Sequence, residues 1–249
     1  MHAATADDAY PRAAKAYLVK RDGHLLWAGH PDERLPPASL TKMMTALIVL
    51  ENAALEETVV VSRRASREPG SRIGLKPGEN FRARDLFAAM VLRSANDACR
   101  ALADHLSPNF IALMNQRSAT LGLRDTHFLD PCGHDRPGQY STAADLARLA
   151  ERVMVYDEYA RLARQAEFRI ATLDGKRRFH FTNTNALIGR YEGALGVKTG
   201  STSRAGNCLV ALAEKDGSRV LIVMLNAPNR WWNAVGLFDR AFKAAAPLQ

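Results

Sequence analysis

Apolar residues recur along this chain with two different periods, and the change from one to the other organises it. Near the start, Ala16-Tyr-Leu-Val19 and Leu25-Leu-Trp27 flank Asp22-Gly23. Asp-Gly between two short apolar runs predicts a β-hairpin, because those residues accept the left-handed backbone of a tight turn. Asp174-Gly175 between Phe168–Leu173 and Lys176–Phe181, and Asp216-Gly217 between Cys208–Ala213 and Arg219–Leu225, predict two more. Val59-Val-Val61 and Ala194-Leu-Gly-Val197 read as further strands. Pro36-Pro37 ends the first extended stretch, and Ser39 to Asn52 reads as a helix. Between about residues 83 and 165 the spacing becomes helical, over Arg84–Leu92 and Asp97–Leu106. Ser107-Pro108 supplies an N-cap and a first-turn proline for a helix closing at Gly122, and Ser141 or Thr142 caps another running to about Val155. Leu123–Tyr140, rich in Pro, Gly, His and Asp, is a loop, and Trp231 to Ala245 reads as a terminal helix.

Strands at both chain ends with helices between them predict an α+β fold. One antiparallel sheet is built from both ends and covered by helices, with a helical lobe inserted in its middle. Residues 1–12 are expected to form an N-terminal tail and residues 13–249 a single domain. Its sheet lobe takes about 13–60 and 166–249, and its helical lobe about 61–165. No linker or internal repeat divides the chain.

Composition narrows the function classes. The 249 residues are 47% hydrophobic and 24% charged, enough to bury a core and ordinary for a folded chain. The formal charge is +8, but Lys and Arg are dispersed and no nucleic-acid module is visible, so a solvated basic surface is expected. No apolar run reaches the length of a membrane span, and residues 1–14 hold no apolar core of a signal peptide. The seven histidines form no close ligand set, so no metal or cofactor is expected. Of three cysteines, Cys99 and Cys208 lie in apolar runs and read as core, whereas Cys132 lies in the turn-rich loop. One disulfide is compatible with an exported protein, and the odd count leaves at least one thiol free.

Three short strings carry the chemistry: Ser39-Leu-Thr-Lys42, Ser94-Ala-Asn96 and Lys198-Thr199-Gly200. An S-x-x-K string alone occurs about once by chance in a chain of this length, so the information lies in the three together and in their order. Serine needs a base within hydrogen-bond reach to act as a nucleophile, and residues three apart on a helix share a face. Ser39 and Lys42 therefore read as nucleophile and base, provided that burial or a neighbouring cation such as Lys198 lowers the lysine pKa. Ser94 suits a proton relay to a leaving amine, and Asn96 a contact to the substrate carbonyl and to Lys42. Lys198 and Thr199 suit a substrate carboxylate. Gly200 lets an acyl chain lie close along the strand edge, and the N–H groups of Ser39 and Ser201 read as an oxyanion hole.

At these residues the chain resembles the low-molecular-mass penicillin-binding proteins, the serine-type D-alanyl-D-alanine carboxypeptidases, whose signature is this triple. The likeness extends through Pro37–Met44, Gly74-Leu-Lys-Pro-Gly-Glu79, Ala112-Leu-Met-Asn115, Leu121-Gly-Leu123, Gly138-Gln-Tyr-Ser-Thr142 and Gly196–Gly200. The resemblance implies the fold shared with β-lactamases and removal of the terminal D-Ala from peptidoglycan stem pentapeptides through an acyl-enzyme on Ser39. It implies acylation by β-lactams, with Lys42 as general base, and Arg230 as an aid to carboxylate binding. It also implies a location on the periplasmic or outer, cell-wall side. A monomer is expected, without a membrane anchor. Asn183-Thr-Asn185 and Ala205–Val210 also resemble the D,D-endopeptidases, which cut cross-links. A class A β-lactamase would need a glutamate-bearing loop, and Glu167 falls in a β-like stretch instead. A wall-binding module without catalysis is the remaining alternative.

Overall fold

The structure is a computed structural model, which describes residues 9–244. Residues 1–8 of the expected tail, and Ala245 at the expected end of the last helix, lie outside the described residues.

Asp22 and Gly23 have φ of 51° and 83°, so β1 (Ala16–Arg21) turns tightly into β2 (His24–Gly29). Asp216 and Gly217, at 50° and 75°, join β8 (Gly206–Lys215) to β9 (Ser218–Leu225) in the same way. With β7 (Ala194–Thr202) these strands form one antiparallel sheet in the order β2-β1-β9-β8-β7. The two chain ends meet inside it, where β1 pairs with β9 from Ala16↔Leu225 to Arg21↔Val220.

Val220–Leu225 reads as an unbroken apolar run because both faces of the sheet are covered. Val220, Ile222 and Met224 pack on Ala234, Leu237, Phe238 and Ala241 of α8 (Arg230–Lys243). Leu221, Val223 and Leu225 point to the other core, under the helical block. There α6 (Ala143–Val153) lies on β1 and β9. Behind it α1 (Lys42–Asn52) packs on α6, on α4 (Asn96–Leu106) and on α5 (Phe110–Thr120). Residues 42 to 49 of α1 are all buried, so it is apolar nearly all round, as a helix at the centre of a core must be.

Several elements depart from the sequence pattern. Helix α5 starts at Phe110 instead of Pro108, because Ser107 Oγ accepts from the Asn109 N–H and forms a separate turn first. Between β5 (Glu167–Ala171) and β6 (Arg178–Thr182) the connection is a wide loop, closed by Thr172 Oγ1 bonding to Asp174 Oδ1 and to the Arg177 N–H. That hairpin pairs with itself and packs on α3 (Ala83–Leu92). Residues 166–182 therefore stand apart from the sheet, contrary to the expected division. β3 (Thr58–Val60) likewise pairs only with β4 (Asn80–Arg82). Of two further short helices, α2 (Arg63–Ser66) has no counterpart in the sequence reading, whereas α7 (Asp157–Ala163) falls within the stretch read as helical but is not delimited there. No helix among the described residues is long and apolar enough to cross a membrane.

Candidate active site

Ala38, at φ +48°, redirects the chain into a 3-10 turn over Ala38–Thr41, after which α1 begins at Lys42. Ser39 thus sits in the turn before the helix instead of within its first turn, yet still faces the lysine: Lys42 Nζ lies 3.0 Å from Ser39 Oγ. Lys42 is 1% exposed, and its Nζ also donates to Asn96 Oδ1 at 2.7 Å and to the Cys132 carbonyl. A neutral amine has two N–H donors and one lone pair. Those donors match Asn96 and Cys132, leaving the lone pair for the Ser39 hydroxyl. Burial lowers the Lys42 pKa to about 7; Asp130 and Glu68 oppose the shift, and Arg100 adds to it. Arg100 is thus a neighbouring cation beside Lys42 that the sequence reading does not single out, in addition to Lys198, with which Lys42 shares a mutual repulsion.

Ser94 lies midway along the link between α3 and α4 at φ +59°, a left-handed conformation that costs a non-glycine residue about 1–3 kcal/mol and turns its hydroxyl toward the sheet edge. Lys198 Nζ, from β7, donates to Ser94 Oγ at 2.8 Å and to the Thr199 carbonyl at 2.9 Å. Lys198 is 2% exposed, and burial, with repulsion from Lys42 and Arg230, pushes its pKa well below the usual lysine value. Thr199 Oγ1 lies 2.8 Å from Thr184 Oγ1, whose residue is anchored to the Leu92 carbonyl at the end of α3. The Asn183-Thr-Asn185 string thus ties β7 to the helical block.

Edge strand β7 runs directly against the Ser39 turn. A Cβ on Gly200 would stand 3.0 Å from both the Ser39 nitrogen and Ala38 Cβ, so glycine here permits the close approach. Ser201, the next residue, is exposed on the same edge. Arg230 reaches this strand by a different route from the expected one. Its Nη1 donates to the Gly200 carbonyl at 2.6 Å and to the Cys208 carbonyl at 3.2 Å, bracing the β7–β8 pair. Burial lowers its pKa as well.

The supporting residues were not legible as site residues. Ser94 and Asp97 do not cap α4, whose N-cap is Ala95 with no side-chain bond. Asp97, fully buried, instead accepts from the N–H groups of Ile73, Gly74, Leu75 and Ala98, fixing the loop whose Ser71 carbonyl receives the Asn96 N–H. Asn115 pairs with both backbone groups of Phe128. Gln139 Oε1 accepts from Leu129 and Asp130, and its Nε2 donates to the His134 carbonyl. These bonds hold the loop that offers the Cys132 carbonyl to Lys42. The only sequence signal for them was the likeness of Ala112–Asn115 and Gly138–Thr142 to the family. Gly133, at φ +84°, packs on the Ala38–Ser39 peptide so closely that a Cβ would overlap the Ala38 carbonyl and stand 2.9 Å from the Ser39 nitrogen.

Cys132 is disulfide-bonded to Cys99, and Cys208 is free and buried. Cys99 is indeed in the core, but as half of a bridge from α4 to the loop under Lys42. The sequence separation is 33, and closing a loop of that size in the unfolded chain is worth about 3–4 kcal/mol. The Cys99→Ala/Cys132→Ala double variant is therefore expected to lose stability of that order in a urea titration. A reductant should produce a similar loss in the parent and none in the variant. Glu167, the residue weighed for a β-lactamase loop, is exposed on β5 and pairs with His180 at 2.8 Å.

Comparison with known proteins places this geometry. The family model described as D-alanyl-D-alanine carboxypeptidase matches residues 2–229. D-alanyl-D-alanine carboxypeptidase DacF of Bacillus subtilis is 35% identical over 224 residues, covering 86% of this chain and 57% of the relative. The chain thus spans little more than half the length of that curated relative. The crystal structure of a D-alanyl-D-alanine carboxypeptidase from Mycobacterium tuberculosis superposes with a TM-score of 0.90 at 31% identity, covering 98% of this chain and 96% of that one. The crystal structure of Streptomyces K15 DD-transpeptidase gives 0.88 at 30%, over 93% and 98%. On the match of the family model across most of its length, the chain belongs to the D-alanyl-D-alanine carboxypeptidase family of serine peptidases.

Proposed function

We propose that this protein is a serine D,D-carboxypeptidase that removes the terminal D-Ala from peptidoglycan stem pentapeptides through an acyl-enzyme on Ser39. The observation that carries this reading is the buried Lys42 amine, held between Ser39 Oγ, Asn96 Oδ1 and the Cys132 carbonyl, with its pKa brought to about 7. A base with that pKa is half neutral near pH 7, where general-base catalysis is most effective.

In this mechanism the substrate's carboxylate is met by Lys198 and Thr199. An incoming negative charge restores the proton that burial disfavours on Lys198. Lys42 takes the proton from Ser39 as Oγ attacks the carbonyl of the penultimate D-Ala. The oxyanion lies between the N–H groups of Ser39 and Ser201, a placement supported by the close approach of Gly200 to the Ser39 turn. Asn96 steadies Lys42 and the substrate amide. Ser94, hydrogen-bonded to Lys198, relays to the nitrogen of the departing D-Ala the proton that Lys42 took from Ser39, which leaves Ser94 a hydroxyl and Lys42 a neutral amine ready to activate the water. Water then hydrolyses the Ser39 ester and regenerates both groups. Arg230 contributes through the Gly200 carbonyl, holding the strand edge on which the substrate lies. β-Lactams would acylate the same oxygen. A periplasmic or cell-wall location follows from the substrate, and the Cys99–Cys132 bridge fits an oxidising compartment.

A second reading is favoured by the likeness to Streptomyces K15 DD-transpeptidase: the same acyl-enzyme would pass its acyl group to an amine instead of water. Product analysis separates the possibilities. Incubated with a pentapeptide ending in D-Ala-D-Ala, the protein is expected to release D-Ala and tetrapeptide in equal amounts. A new amide formed with added glycine would mark a transpeptidase, and cleavage of cross-linked dimer alone an endopeptidase. No product from any of these would overturn the catalytic reading.

A further inference from the structure

Beside the Lys42 site lies a buried polar cluster that the mechanism above does not use. Arg100, on α4, ion-pairs with Glu68 and, at 2.8 Å, with Asp130; the three residues are 6%, 8% and 2% exposed. His134 closes the cluster at the cleft edge, its side chain 20% exposed. Its Nδ1 lies 3.0 Å from Asp130 Oδ1, so Nδ1 carries a proton and donates it to the carboxylate. Its Nε2 lies 3.2 Å from Asn96 Nδ2. Asn96 Nδ2 also donates to the Pro69 carbonyl at 2.6 Å, while Asn96 Oδ1 receives Lys42.

An amide nitrogen has two protons and no lone pair. With Pro69 taking one proton, the group facing the other must be an acceptor, which Nε2 is only when His134 is neutral. We propose that His134 is a positioning residue, whose neutral Nδ1–H form accepts from Asn96 Nδ2 and thereby keeps Asn96 Oδ1 aimed at the Lys42 amine. A proton on Nε2 would set donor against donor at 3.2 Å. The amide must then turn or withdraw, and a turned amide presents N–H groups to Lys42, where they compete with Ser39 for the amine lone pair. The proton itself has places to go, since Nε2 is 3.4 Å from the Pro69 carbonyl and 3.5 Å from Glu68 Oε2.

The charged groups around the imidazole are Asp130 on its own loop, Glu68 from the segment after α2, Arg100 from α4 and, through Asn96, Lys42 from α1. The hydrogen bond to Asp130 is the largest influence raising the His134 pKa, opposed by burial and aided by Glu68. Protonation therefore begins to disturb Asn96 at a higher pH than an ordinary histidine would allow. Two protonations then shut down acylation together, and the acid limb of the rate profile is steeper than one group would give.

The activity arm rests on Ser39 being the acylated residue; the spectroscopic arm does not. In isotope-labelled protein, long-range proton–nitrogen spectra of the imidazoles and of the Asn96 side-chain amide would be followed from pH 5 to 9. The expected result is a neutral His134 in the Nδ1–H form, with the Asn96 amide signals moving at the His134 midpoint. An Nε2–H form, or Asn96 signals indifferent to that titration, would overturn the proposal. For acylation by benzylpenicillin, His134→Gln retains an acceptor without titrating. It should keep the parent rate at pH 8 to within about threefold, with an acid limb of single-proton slope in place of a steeper one. His134→Phe, lacking any acceptor, should be about tenfold slower at pH 8. Equal slowing of both variants, with the parent pH profile unchanged, would show a merely structural role and also overturn it. A parent protein that is never acylated would sink the D,D-peptidase reading, while the spectra would still decide the role of His134.

Discussion

Ser39→Ala is expected to abolish covalent labelling by benzylpenicillin and to cut D-Ala release by about 10^6-fold, the order seen when a serine hydrolase loses its nucleophile. The parent should gain the mass of one drug molecule on the peptide containing Ser39, and the variant none. Ser39 is only half-buried, and its side chain is hydrogen-bonded to Lys42, so its loss should leave the fold intact by circular dichroism. An adduct persisting in a folded Ser39→Ala variant would move the nucleophile elsewhere.

Lys42 should dominate the pH dependence. Its amine must be neutral to take the Ser39 proton, so the acylation rate is expected to rise as pH rises through about 7. Lys42→Met should reduce acylation by several orders of magnitude at every pH. The same residue leaves a signature in stability. The unfolded chain holds this proton up to the ordinary lysine value of 10.5, the folded chain only up to about 7. Within that window the unfolded state binds more protons, so stability rises with pH, and below it the cost of burying the protonated amine is felt in full. Lys198, depressed by the same cause, contributes with the same sign. Urea titrations of Lys42→Met should therefore show a flatter pH profile between about 7 and 10 than the parent. An unchanged profile would mean that Lys42 is not the group whose proton is displaced.

Local signals were read well where the cause is local. The Asp-Gly turns at residues 22–23 and 216–217 form as expected because positive φ is a property of those residues in sequence. At Asp174-Gly175 the same dipeptide yields a wide loop, because Thr172 offers a competing hydroxyl that no dipeptide rule contains. The strings at Ser39, Ser94 and Lys198 do converge, and the hydrogen bonds from Lys42 to Asn96 and from Lys198 to Ser94 join them across the cleft. Arg230, expected to aid carboxylate binding, makes its contact to the strand backbone.

The sequence by itself determined the α+β pattern, the sheet made from both chain ends, the three motifs and the family they resemble. Each is written in spacing along the chain, through a period of two or 3.6 residues or a turn residue with few conformations. Only the tertiary structure decided that Cys132 pairs with Cys99, that β5 and β6 leave the sheet, and that Glu68, Arg100, Asp130 and His134 gather beside Lys42. Apart from His134 with Asp130, which are neighbours in one loop, the side-chain pairs join residues 30 or more positions apart, as in Cys99 with Cys132 and Arg100 with Asp130 and with Glu68. Such pairs owe their existence to where α4, the segment after α2 and the 123–142 loop are packed, and burial, which sets the Lys42 pKa, is a property of that packing alone.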